Sequence, residues 1–161
     1  NMITDYTTFN DVRAALGVDD KDLPDSVLAL DIYSAGLTQD LEDVDVNLPD
    51  TYLTVSAESS PTAQQTRFLS CCSMFAAYAV ASRLTATMPL FAPQQETDGK
   101  AQAGRFDNAY KDVVGAVVGQ CEEARTRLLN AYNALFYTEK KSAIKSYFGV
   151  ISPSSDPVTG L

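Results

Sequence analysis

The side chains best placed to do chemistry in this chain are the carboxylates crowded between residues 40 and 50: Asp40, Glu42, Asp43 and Asp45, followed by Asn47 and Asp50. Asp43-x-Asp45-x-Asn47 opens like a calcium loop, which requires glycine at its sixth position and a bidentate glutamate at its twelfth. Those positions hold Leu48 and Thr54, which sets calcium aside. Two carboxylates can also hydrolyse a sugar when a cleft holds them at a fixed separation, but acids grouped at one helix end are more simply a solvated face. Composition closes off most other catalysis. The 161 residues include no histidine, so Ser-His-Asp and Cys-His nucleophile pairs and imidazole-ligated metals are excluded. Neither Gly-x-x-x-x-Gly-Lys nor Gly-x-Gly-x-x-Gly occurs, so no phosphate-cradling loop is available. The expectation is a non-enzyme with no cofactor, no metal and no catalytic residue.

The three cysteines fit that expectation. Cys71 and Cys72 are neighbours on an expected helix, where adjacent side chains point apart and disulfide geometry is strained. Together with Cys121 they read as small apolar thiols in a reducing compartment.

The elements that must carry these residues read as all-α, a bundle of about four helices, two short and two long, with extended loops and a C-terminal arm. Thr7 or Thr8 caps a first helix, about 8–16, with Phe9, Val12 and Leu16 on one face and Gly17 as its stop. Pro24-Asp25-Ser26 starts a second, about 26–43, whose stripe is Val27, Leu30, Ser34, Leu37, Leu41 and Val44. Residues 45–60 read as a loop, with Thr51 to Val55 as a short strand or extended segment. Ser60-Pro61 starts a third helix, about 61–87, apolar nearly all round from Phe68 to Ala81. Arg67 and Arg83 enclose only fifteen residues, short of the roughly 20 that a membrane span needs, so this helix is expected to be the centre of a core. After a polar connection over 89–104, apolar positions recur from Phe106 to Leu135 at intervals of three and four, giving a fourth helix, about 105–137. Gly115 and Gly119, four apart on it, are expected to pack closely against the alanines of helix three, Ala76 and Ala77 among them.

The domain boundaries follow: 1–137 is a single helical domain and 138–161 an extended arm. Within the arm, Tyr147, Phe148, Val150 and Ile151 form an apolar stretch between basic turns and a Ser/Asp/Pro/Gly end. Such a stretch is too short to build its own core, so it is expected to pack on another molecule. Charge is also uneven. Residues 1–60 hold 13 acidic and 2 basic side chains, while residues 61–161 hold 8 acidic and 10 basic. An acidic half argues against wrapping nucleic acid, and a two-signed surface fits docking between copies.

Asp11-Val12-Arg13-Ala14-Ala15-Leu16-Gly17-Val18, then Asp22-Leu23-Pro24-Asp25 and Leu28-Ala29-Leu30, then the helix over 66–84 and a long last helix, resemble the head-tail connector (adaptor) proteins of tailed double-stranded-DNA bacteriophages. The pattern covers residues 2–137, with motif-level likeness in the opening 30. The resemblance implies a homo-oligomeric ring of about twelve copies under the portal. It implies a virion protein of the head-tail interface, synthesised in the bacterial host cytoplasm. The ring joins the portal protein to tail, stopper or terminator proteins and lines the DNA exit channel. Genomic DNA passes through without sequence-specific binding, and no membrane is involved. The resemblance gives Tyr147, Phe148, Val150 and Ile151 the portal-binding role. An acidic lining would repel phosphates and let the duplex slide. Two other classes remain open: another tail-completion or stopper component of the virion, and a non-enzymatic helical assembly or regulatory protein.

Overall fold

The computed structural model describes the backbone of residues 2–86 and 103–136, and the side chains of 2–86 and 112–136. The described residues are helical, with no strand among them: α1 (Met2–Tyr6), α2 (Phe9–Leu16), α3 (Asp25–Leu28), α4 (Asp31–Glu42), α5 (Leu48–Ser56), α6 (Ala63–Thr85) and α7 (Ala103–Phe136). The all-α bundle with two long helices is as expected. The number of short helices is larger, and the arm over 138–161 lies outside the described residues.

Helix α2 forms where capping chemistry places it. Thr8 accepts from the backbone N–H of Asp11, while the Asp11 carboxylate accepts from the Thr8 N–H, a reciprocal box. Gly17 ends the helix at φ 71°, the left-handed conformation that a side chain resists. The turn beyond it is held by Arg13, which is buried. Its Nε donates to the Leu23 carbonyl at 2.8 Å and Nη1 to Asn10 Oδ1 at 2.9 Å, and Nη2 pairs with Asp25.

The single second helix expected over 26–43 is two helices. Leu30 adopts an extended conformation between α3 and α4 and is exposed, so it leaves the predicted stripe. In one continuous helix Leu28 and Tyr33 would point about 140° apart; the break lets both reach the core. The loop or strand expected over 45–60 is instead α5, which carries Pro49 in its first turn, where a missing N–H is no loss. Its β-branched residues suggested a strand, but Leu48, Tyr52 and Val55 bury one helical face. Thr51 and Thr54 satisfy their hydroxyls by donating to the carbonyls of Asn47 and Asp50, both at 2.9 Å. Tyr52 Oη donates to the Asp5 carbonyl at 2.7 Å, and its ring lies 4.2 Å from that of Tyr6, which pins α1.

Helix α6 starts at Ala63 and not at Pro61, because Thr62 and Gln65 form a second reciprocal capping box. By length and composition it is apolar enough to cross a membrane. In the fold it packs against α1, α2, α4, α5 and α7, and Phe68, Cys72, Ala76, Val80 and Ala81 are fully buried. Helix α7 runs antiparallel along it: the Phe68 and Tyr132 rings lie 5.9 Å apart, while Arg83 and Cys121 line one cleft further along. The inner face of α7 is Val117, Cys121, Ala124, Leu128, Ala131 and Leu135, on the predicted period.

Adjacent leucines of α7 test this assignment. Leu128 is fully buried and Leu129 is 41% exposed. Leu128→Ala is expected to cost about 2–5 kcal/mol and Leu129→Ala no more than about 0.5 kcal/mol, read by urea unfolding of the two variants at dilutions where the subunit is monomeric.

Candidate functional site

The carboxylates Asp40, Asp43 and Asp45 sit where α4 ends, and their partners come from α6 and α7. Arg83 on α6 grips Asp40 with two hydrogen bonds, Nε at 2.8 Å and Nη2 at 2.7 Å, and also donates to the Gly36 carbonyl. Gly36 makes room for this: a Cβ there would stand 2.7 Å from the Arg83 guanidinium carbon, and a larger residue would push the arginine aside. Arg125 on α7 donates to the Asp43 carbonyl at 3.1 Å, and Tyr132 Oη donates to the Asp45 carboxylate at 3.1 Å. Burial and the bond to Asp45 hold the Tyr132 hydroxyl above its ordinary range, so it remains a donor. This is a polar clasp that fixes the corner between α4 and α5 against the two long helices. Among the described residues no group of three acidic or thiol side chains converges to hold a metal ion.

The thiols of Cys72 and Cys121 are not activated. Burial pushes Cys72 well above the ordinary thiol range and Cys121 up to about 11. Besides the cleft of about 210 Å³ at Arg83 and Cys121, two more open on the described surface. One, of about 640 Å³, is lined by Asn10, Arg13, Asp19, Asp20 and Asp25, and its arginine is already committed to the turn it holds. The other, of about 360 Å³, lies between α2 and α6 over Ala14, Ala15, Ala77 and Met74.

The surface that stands out is the outside of α7. Residues 113–119, Val-Val-Gly-Ala-Val-Val-Gly, are apolar throughout, yet Val117 alone among them is buried. Val118 is 42% exposed, and Leu129 and Phe136 continue the exposed apolar surface along the same side of the helix. Apolar side chains arrayed along one helix face of a surface are a mark of association.

This placement corrects one expectation. Gly115 and Gly119 are exposed, and a Cβ at either would meet nothing within 4 Å among the described residues. They do not seat α7 on α6. Ala76 and Ala77 are buried in α6 as expected, but their close neighbours are not these glycines. Tyr147, Phe148, Val150 and Ile151 lie outside the described residues. Sequence reasoning missed Arg83, Arg125 and Tyr132 as partners of the acidic cluster. It also missed the exposed residues Val118, Leu129 and Phe136, although each lies one position beyond an apolar residue of the inner face, which is a readable signal.

Nothing matches this chain among protein-family models, curated proteins or solved structures.

The buried acids give a pH prediction. Tyr6 is pushed up to about 12 and Cys72 higher still, chiefly by burial. In the unfolded chain these groups ionise near 10.0 and 9.0. The unfolded state therefore binds fewer protons in this window, so stability is fully present below pH ~9 and falls as pH rises through it. Thermal melting from about pH 8 to about pH 11 should show a falling Tm; a flat profile would contradict the burial of both groups.

Proposed function

We propose that this chain is a structural, non-enzymatic assembly subunit, a ring-forming adaptor that links a capsid portal to a tail and lines the channel through which DNA leaves. The observation that carries the reading is the exposed apolar outside of α7, with Gly115 and Gly119 open on it. In a ring, long helices standing side by side require one face free of the subunit's own core, and helix faces bearing glycine allow backbones to approach closely. The acids of the front half fit the same role: Asp19, Asp20, Asp22, Asp25 and Asp31 are exposed, and a negative lumen repels phosphate. The sequence resemblance to head-tail connectors supplies the identity of the partner.

Native mass measurement of the protein with purified portal tests this. The expected result is several copies bound per portal ring, and absence of binding rejects the adaptor role. Phe148→Ala and Ile151→Ala are expected to weaken that complex by about 1 to 4 kcal/mol each, the usual worth of a buried apolar anchor, with the melting of the isolated subunit unchanged. A sharp fall in subunit stability would instead place the arm in the core.

A further inference from the structure

Val118, Glu122, Arg125, Leu129 and Phe136 follow one another on α7 at intervals of four, three, four and seven, the spacing of a coiled-coil seam. This stripe lies beside the buried face and is solvent-exposed along its length. Its two central members carry opposite charges. Among the described residues neither Glu122 nor Arg125 has an ion-pair partner in its own chain. Arg125 is held on this side of the helix by its bond to the Asp43 carbonyl.

We infer that this stripe binds the same stripe of a second copy, antiparallel, about a two-fold axis between residues 123 and 124. Turned end for end, the four positions 118, 122, 125 and 129 match themselves. Val118 falls opposite Leu129 of the second copy, and Glu122 falls opposite Arg125, each contact occurring twice, as an isologous interface requires. Charge decides the direction. A parallel pair in register would set Glu122 against Glu122 and Arg125 against Arg125, whereas the antiparallel pair gives two complementary contacts flanked by two apolar ones. A two-fold contact closes at two copies and cannot propagate round a ring, which needs head-to-tail contacts. The pair is therefore a form of the subunit outside any ring, and it stands or falls independently of portal binding.

The full-length protein should sediment as a dimer, and Leu129→Glu, at an exposed position, should convert it to a folded monomer. Glu122→Arg or Arg125→Glu alone should weaken the dimer roughly tenfold or more, and the two together in one chain should restore it. Register is read by cross-linking in a Cys71→Ser, Cys121→Ser background. Chains carrying Val118→Cys should form a disulfide with chains carrying Leu129→Cys and not with each other, since two copies of position 118 would lie roughly 16 Å apart along the axis. A wild-type monomer at all concentrations, a homotypic Val118→Cys cross-link, or failure of the double charge reversal to rescue would each overturn the inference.

Discussion

Residues 68–81 of α6 turn apolar side chains in nearly every direction around the helix axis, so no single neighbour can remove them from water. The rest of the architecture follows from covering them. Helices α1, α2, α4 and α5 close one side and α7 the other. At about 25 cal/mol per Å² of apolar surface, drying the core is the dominant favourable term of the fold. The alanines of α6 allow this crowding. Ala76, Ala79 and Ala81 are buried with almost no exposure, and larger residues there would hold the surrounding helices further away.

Polar contacts then fix what apolar packing leaves loose. A helix of 34 residues lying on a smooth apolar partner can slide or rotate at little cost, whereas Arg83 on Asp40, Arg125 on Asp43 and Tyr132 on Asp45 tie both long helices to one corner. A partly exposed pair such as Arg83 with Asp40 adds on the order of 1 kcal/mol or less. Its effect is on register more than on stability. Gathering acids at that corner serves packing, and it explains why a cluster that resembles the start of a calcium loop has no glycine where such a loop must turn.

Elements set by local chemistry could be read from the sequence. The Thr8 box, the Gly17 stop and the three-and-four spacing of α7 depend only on residues within a turn or two of one another. Elements decided by tertiary contact could not. The break at Leu30 exists because Leu28 and Tyr33 must both reach the core. Helix α5 overrides its β-branched composition because Tyr52 has Asp5 and Tyr6 to meet. The acidic corner was visible as a cluster, but its partners lie 43, 82 and 87 residues away in sequence. Gly115 and Gly119 were recognised as special without any means of telling which side of α7 they occupied.

The central place of α6 also sets an order of events during synthesis. Helices α1 to α5 precede it in the chain and can cover one flank as it emerges, but the flank that meets α7 stays wet until residues 112–136 have been made. At about 5–20 residues per second, the fifty or so residues between the end of α6 and the end of α7 take roughly 3–10 s. For that interval a strip containing Phe68 and Phe75 is open to solvent or to another nascent chain, so the slowest safe step in making this protein is the wait for α7.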